Sequence, residues 1–429
     1  MNPLTLQPIS GSLHGLIKVP GDKSISHRSI IFGSIATGTT TVTNFLDGED
    51  CMRTINAFKE MGVTIQKNGS NITIEGTGLS GLIEPKKELD FGNSGTTTRL
   101  MLGLLAGLPF KTTIYGDASL SKRPMSRVVD PLRLMGARID GVQQGNYLPL
   151  TIKGTTLKSI EYDLPVKSAQ VKSALLLAGL HSENKTVVRE KSPTRNHTET
   201  MLQAFGANIK TDGHTISISK TTDLQGCHVE VPGDISSAAF FIVAACMVPR
   251  SEIILKDVGL NETRTGIIDV VLQMGAKLTI QNERIVGGEK IGDILINGSQ
   301  LSGVTIEGDT IPRLIDEIPI LALLATQADG TTIIKDAQEL KVKETDRLLA
   351  VSENLSKLGA DVTPTEDGMI IKGNTKLKGG SFKSYDDHRI AMMGIIASLV
   401  TEETVVVDNI DCINISYPNF VNDLQSISK

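Results

Sequence analysis

The sequence predicts an α/β protein built of two related domains, and three observations carry that prediction. The tetrapeptide Val-Pro-Gly-Asp occurs twice, at Val19–Asp22 and Val231–Asp234, in a chain of 429 residues. A run of helix, glycine and two alternating strands recurs with a period of about 70 residues, the mark of an internal repeat. Between these hairpins lies a second series of helices, apolar nearly all round, as expected of helices buried inside a domain.

Each Val-Pro-Gly-Asp copy leads into a Ser-bearing helix start, GDKSISHRS after the first and GDISSAAFF after the second. Pro and Gly end a strand, and Asp or Ser caps the helix that follows. Two copies 212 residues apart therefore predict two neighbouring crossings between related domains. Only the first is followed by Lys23, His27 and Arg28, so the duplication is structural and the chemistry has been added to one side.

Composition sets the outer limits. At 429 residues the chain exceeds one ordinary core and suits two domains of about 200. Apolar residues at 40% and charged residues at 21% are those of a soluble globular protein. A net charge of −5 without a Lys/Arg run gives no nucleic-acid or membrane surface. MNPLTLQPISG has no signal-peptide core, and apolar stretches such as Ala238–Val248 are too short to span a bilayer. Cys51, Cys227, Cys246 and Cys412 form no Cys-x-x-Cys pair, which points to free thiols in a reducing cytoplasm.

The hairpin series is marked by Gly62, Gly136, Gly206, Gly275 and Gly359, each just after a helix, where glycine supplies the left-handed cap. The stretches that follow, such as VTIQKNGSNITIEG, alternate as hairpins do. The buried helices begin near Lys23, Ser94, Ser168, Ser236, Asp316 and Asp386. Three lie between the two breaks and three after the second. After the sixth, a helix around Phe420–Ile427 takes the place of a hairpin, so LTLQPISGSLHGLIKV (residues 4–19) is expected to supply both missing strands. The expected domains are residues 20–233 and residues 1–19 plus 234–429, with hinges at 19–22 and 231–234. Helices running the same way would bring their N-termini to the cleft between the domains, where unsatisfied N–H groups and helix dipoles favour anions.

Most of the polar motifs sit at those helix starts. GDKSISHR places Lys23, Ser24 and Arg28 in the first turns, an ammonium, a hydroxyl and a guanidinium suited to a phosphate or carboxylate. A solvated cap is the plain alternative. GNSGTTTR, which holds Gly95, permits close backbone approach to a phosphate or is simple capping. It is not a Walker loop, since no Gly-Lys-Ser/Thr follows. SLSKRPMSR groups Lys122, Arg123 and Arg127 around Pro124, as an anion site or a solvated loop. SAQVK offers Ser168 and Gln170, a pair that reads ligand hydroxyls, and SPTRNHTE adds Arg195 and His197. Asp316 and Glu317 precede IPILALLA and can cap that helix. KVKETDR sets Lys343 and Arg347 at i, i+4 on one helix face with Glu344 about 100° round, a pattern that also describes a salt-bridged surface helix. YDDHR brings two acids, an imidazole and Arg389 to the sixth helix. No Ser-His-Asp elbow and no His/Cys metal spacing is present, so neither metal nor cofactor is expected. The common position of these motifs in a six-fold repeat is what the plain alternatives leave unexplained.

Together, PGDKSISHR, GNSGTTTR, RPMSR, SAQVKSA, NETRTG, KETDR and DDHR, in that order between Leu4 and Pro418, resemble the 5-enolpyruvylshikimate-3-phosphate synthase family. GDKS with SAQVK is similar to its second, glyphosate-tolerant class. The resemblance implies two inside-out α/β domains of three βαβαββ units each. It implies transfer of the enolpyruvyl group of phosphoenolpyruvate to the 5-hydroxyl of shikimate 3-phosphate, with release of phosphate by addition and elimination, in chorismate and aromatic amino acid biosynthesis. By the same resemblance Lys23, Ser24, Arg28, Ser168, Gln170, Arg195, Asp316 and Lys343 hold shikimate 3-phosphate. Lys23, Gly95, Arg123, Gln170, Arg347 and Arg389 hold phosphoenolpyruvate. Asp316 matches the proton acceptor and Glu344 a proton donor, with Lys23 grouped beside them as catalytic. Leu100 stands where many members have Pro, Ala169 where many have a second Ser, and Ile415 where some have a substrate-contacting Lys. A cytoplasmic monomer acting on small anionic substrates, without nucleic acid, membrane or cofactor, is expected.

Two other readings stay open on sequence. An enolpyruvyl transferase acting on a UDP-amino sugar shares the fold but usually carries a mobile-loop Cys, which SLSKRPMSR lacks. A non-catalytic anion-binding protein has no use for Asp316 and Glu344, since carboxylates in an anion site are costly unless they do chemistry.

Overall fold

The computed structural model describes residues 2–221 and 223–428; Met1, Thr222 and Lys429, which fall within the expected domain segments, lie outside the described residues. Two compact units are present. One is Gly21–Val231 with Val286–Gly288, and the other comprises the segments up to Pro20, Pro232–Ile285 and from Glu289 on. The chain passes between them after Pro20 and after Val231, inside the two Val-Pro-Gly-Asp breaks. Each unit has its own hydrophobic core.

The three sheets of the Gly21–Val231 unit share one plan. In the first, neighbouring strands run His228–Glu230, Thr37–Thr43, Asn71–Thr77, Thr64–Asn68. In the second they run Leu89–Asp90, Lys111–Tyr115, Tyr147–Lys153, Arg138–Gly141. In the third they run Glu161–Asp163, Thr186–Arg189, Thr215–Ile218, Ile209–Asp212. The leading pair is parallel in each case and the remaining pairs are antiparallel. A parallel pair needs a crossover, which in the second and third sheets is the buried helix between the two strands.

The other unit repeats the plan. One sheet joins His14–Ile17, Glu252–Gly259, Glu289–Asn297 and Lys277–Val286, and another joins Thr305–Ile306, Thr331–Ile334, Met369–Lys372 and Asp361–Pro364. The last has three strands, Gly380–Phe382, Val405–Val407 and Leu4–Leu6. The expectation that residues 4–19 supply both strands of the missing hairpin is therefore corrected. Leu4–Leu6 pairs antiparallel with Val405–Val407, but His14–Ile17 pairs parallel with Glu252–Leu255. The reason is the crossing itself. A leading strand normally precedes its own unit's buried helix, yet after His14–Ile17 the chain enters the other unit. The two crossing strands therefore exchange places: His14–Ile17 leads the strand after the second break, and His228–Glu230 leads the strand after the first.

The buried helices are Lys23–Ile35, Gly95–Leu105, Ala169–Gly179, Ile235–Met247, Ile318–Gln327 and His388–Ala397. In the Lys23–Ile35 helix every residue from Ile25 on is buried. Gly103 lets two of them approach closely: a Cβ there would lie 2.0 Å from the carbonyl oxygen of Ala174. The five hairpin glycines all take left-handed backbone angles, φ between 88° and 98°, the geometry that costs glycine least.

Candidate active site

In the Gly21–Val231 unit, polar side chains join the starts of its three buried helices. Asp22 caps the first by accepting from Ile25 N at 2.9 Å, which leaves Lys23 to reach Asp50 Oδ2 at 3.0 Å. Arg28 is buried and spends its guanidinium on three elements. Nε donates to Thr198 Oγ1 at 2.7 Å, Nη1 to Ser24 O at 2.9 Å and Nη2 to Ser173 Oγ at 2.8 Å. Gln170, in the first turn of the third helix, reaches the second, donating to Thr96 Oγ1 at 3.0 Å and accepting from Arg99 Nη1 at 2.5 Å. Arg123 leans on the glycine-rich turn, with Nη2 2.5 Å from Asn93 Oδ1 and Nη1 3.3 Å from Asn93 O. Ser168 and Ser94 cap their helices, accepting from Val171 N and Thr97 N.

Behind these cations runs a neutral chain. His27 Nδ1 lies 2.8 Å from Thr54 Oγ1, which lies 2.8 Å from Thr97 Oγ1, which lies 2.7 Å from Ser94 Oγ. Burial, then Lys23 and Arg28, hold the His27 pKa well below 6.5, so the imidazole is uncharged at neutral pH.

The other unit binds its helix starts through charge. Arg347 is 1% exposed and meets three carboxylates: Asp387 at 2.7 Å through Nε, Glu344 at 2.6 Å through Nη2 and Asp316 at 3.2 Å through Nη1. Burial opposes its charge, but Asp387, Glu344 and Asp316 more than offset that and raise its pKa. Lys343 Nζ also reaches Asp316 Oδ1 at 3.2 Å, and Arg389 donates to Asp316 O at 3.2 Å. Glu317 accepts from the Ser236 hydroxyl, and Arg264 donates to Ser236 Oγ at 2.8 Å and Asp234 Oδ1 at 3.2 Å. The side chains at the Ile235, Ile318 and His388 helix starts thus form one set. Among the described residues no group of three or more His, Cys, Asp or Glu is placed to hold a metal ion, and no helix is long and apolar enough to cross a membrane.

Two expectations about these residues are corrected. Asp316 does not cap the Ile318–Gln327 helix, whose cap position is Glu317. Three cations nearby hold Asp316 where it is: Lys343, Arg347 and, at 3.9 Å, Arg389. Lys343 and Arg347 do not share a helix face either. Asp346 accepts from Leu349 N and starts the helix at Arg347, so Lys343 and Glu344 lie in the preceding irregular turn. Lys343 and Arg347 meet at Asp316 all the same.

Ser24, Arg28, Ser168, Gln170 and Arg195 lie in the Gly21–Val231 unit, along with Lys23, Gly95 and Arg123, while Asp316, Lys343, Glu344, Arg347 and Arg389 lie in the other. Ile415, at the end of a short helical turn, packs against the core and gives no cation there. Sequence reasoning missed Arg99, Lys172, Arg264 and Asp387 as individual site residues. Lys172 was the most legible of them, a lone charge inside the apolar run of SAQVKSALLLAGL.

The whole chain is similar to proteins of one family. The family model described as EPSP synthase (3-phosphoshikimate 1-carboxyvinyltransferase) matches residues 8–424. The chain is 91% identical over 429 residues to the 3-phosphoshikimate 1-carboxyvinyltransferase of Oceanobacillus iheyensis, covering 100% of both. It is 56% identical over 419 residues to that of Bacillus subtilis, covering 97% of this chain and 98% of the relative. Its fold is similar to the structure of EPSP synthase from Acinetobacter baumannii, with a TM-score of 0.89 at 46% identity over 100% of this chain and 98% of that one.

Proposed function

The chain belongs to the EPSP synthase family, and on that premise we propose how its residues divide the work of the reaction. The enzyme transfers the carboxyvinyl group of phosphoenolpyruvate to the 5-hydroxyl of shikimate 3-phosphate and releases phosphate, a step of aromatic amino acid biosynthesis. Lys23, Ser24, Arg28, Ser168, Gln170, Arg195 and Lys343 hold shikimate 3-phosphate, with Asp316 at the hydroxyl. Lys23, Gly95, Arg123, Gln170, Arg347 and Arg389 hold phosphoenolpyruvate. Residues 20–233 and residues 1–19 plus 234–429 act as two domains hinged at 19–22 and 231–234. The chain works as a cytoplasmic monomer without a nucleic-acid partner, and GDKS with SAQVK assigns it to the second, glyphosate-tolerant class.

The observation that carries the catalytic assignment is the carboxylate of Asp316 set against Lys343, Arg347 and Arg389. Addition to phosphoenolpyruvate needs a base for the hydroxyl and an acid for the methylene carbon. Asp316, fixed by cations, serves as the base. Glu344 is bound to Arg347. A phosphoenolpyruvate anion that takes over the Arg347 donors removes the cation from Glu344, and a carboxylate that loses its cation in a dry site takes up a proton more readily. Substrate binding therefore prepares Glu344 as the acid.

Phosphate release from phosphoenolpyruvate tests the activity. It should require shikimate 3-phosphate and persist after chelation of divalent metal. Release with UDP-N-acetylglucosamine in its place would overturn the assignment. Glu344→Gln should bind both substrates yet turn over about 10²–10⁴-fold more slowly; unchanged turnover would remove Glu344 from the mechanism.

A further inference from the structure

Lys172 lies inside the apolar Ala169–Gly179 helix, just after Gln170, and is 0% exposed. A lysine sealed from water must give its ammonium donors to protein acceptors or suffer a heavy desolvation cost. Nζ stands 2.9 Å from Glu190 Oε2, 2.7 Å from Glu199 Oε1 and 3.3 Å from the carbonyl oxygen of Thr194. Three donors meet three acceptors, and the ammonium is saturated.

Those acceptors are spread along one connection. Glu190 follows the strand Thr186–Arg189, Glu199 lies in the first turn of the helix His197–Ala204, and Thr194 falls between them. Glu190 ties the middle a second time, since its Oε1 accepts from Thr194 N at 3.2 Å and from the Thr194 hydroxyl. Arg195 is the next residue. A connection of this kind has no general need of buried charge, because apolar residues in place of a buried ion pair are often neutral or stabilising. What the charge supplies is position. It pins the connection at its start, middle and end against the helix that begins with Ser168 and Gln170.

We propose that Lys172 is a positioning residue that sets Arg195 for the phosphate of shikimate 3-phosphate. The proposal rests on the reading that Arg195 holds that substrate. Lys172 is enclosed by Glu190, Thr194 and Glu199 and acts through Arg195. It fixes where the guanidinium stands relative to Ser168 and Gln170, and so how tightly the substrate is held.

The test is a double-mutant cycle of Lys172→Met and Arg195→Ala, read as KM for shikimate 3-phosphate and kcat, with thermal unfolding of each variant. Lys172→Met should raise that KM by about 10²-fold, the scale of a contact displaced by an ångström, with kcat changed less than about threefold. In the Arg195→Ala background it should add less than about threefold, since residues that act through one contact are not additive. The same factor in both backgrounds overturns the proposal and makes Lys172 a stabiliser of the fold at large. An Arg195→Ala enzyme with unaltered KM overturns the reading of Arg195 itself. Lys172→Met strands two buried glutamates; where it does not fold, Glu190→Gln takes its place under the same criteria. Its carboxamide loses either the Lys172 or the Thr194 N–H contact, whichever way it turns.

Discussion

The two units solve one problem with different chemistry. Each must hold together the starts of buried helices that carry polar side chains. In the Gly21–Val231 unit hydroxyls and an uncharged imidazole, from His27 through Thr54 and Thr97 to Ser94, join the first two helix starts, while Lys23 pairs with Asp50 and Lys172 with Glu190 and Glu199. In the other, Asp234, Asp316, Glu317, Glu344 and Asp387 interleave with Arg264, Arg347 and Arg389. A duplicated scaffold has diverged at its helix starts while its sheets kept one plan. Cations locked to carboxylates are poised for exchange, because an incoming anion must take the place of an acid.

The largest expected difference lies in catalysis. Asp316→Asn should reduce turnover by about 10²–10⁴-fold, the range for a lost general base, while calorimetry shows shikimate 3-phosphate bound within about tenfold of its normal affinity. Asp316 caps no helix, so lost helix stability does not confuse the result. Turnover within about tenfold of wild type would place the base elsewhere and weaken the contrast between the units.

Stability should separate them next. Arg347→Met leaves Asp387 buried without its cation, and urea unfolding should show a loss of about 3–5 kcal/mol. Thr54→Val cuts the neutral chain at a site of the same shape and should cost about 1 kcal/mol. Equal losses would erase the distinction between charged and neutral bracing.

A pH effect should belong to the first unit. His181, half-buried and packed against Gly107, has its pKa pushed down to about 4, chiefly by desolvation, and His27 is also held low. The unfolded chain takes up these protons at higher pH than the folded one. Stability is therefore full above about pH 6.5 and falls as the pH drops toward about 4. His181→Gln should recover up to about 3 kcal/mol of that acid loss. Identical acid profiles for variant and wild type would mean that acid unfolding begins elsewhere.

The smallest effect is expected from the thiols. Cys51, Cys246 and Cys412 are buried, and burial pushes Cys246 and Cys412 up to about 12. Iodoacetamide should modify Cys227 first and leave activity essentially intact. Rapid inactivation prevented by substrate would contradict this and bring back the cysteine-dependent relatives.

Much of the fold was legible because its signals are local. A glycine after a helix and alternation after the glycine specify a hairpin without reference to anything distant, and the helix-start motifs stand beside those signals. What escaped the sequence was long-range pairing. The i, i+4 spacing of Lys343 and Arg347 suggested a helix that Asp346 starts only at Arg347, and their meeting at Asp316 comes from tertiary placement. Beside its reading as a base, Asp316 also fitted a cap, because acids before apolar runs usually cap. Glu190 and Glu199 are ordinary in sequence and become partners of Lys172 only once the loop folds over the helix. The candidate site's motifs stood in the sequence; the carboxylates that pair with its cations did not announce themselves there.

The exchanged crossing strands also order events in time. Leu13 N donates to Ser251 Oγ across 238 residues, and the strand that begins at His14 finds its partner only at Glu252. At ribosomal rates of about 5–20 residues per second, residues 4–17 wait for tens of seconds as an unpaired edge. Over the same interval the Gly21–Val231 unit acquires all its strands, ending with His228–Glu230. The nascent chain should therefore complete its middle before its beginning, and the first strands made are among the last to be paired.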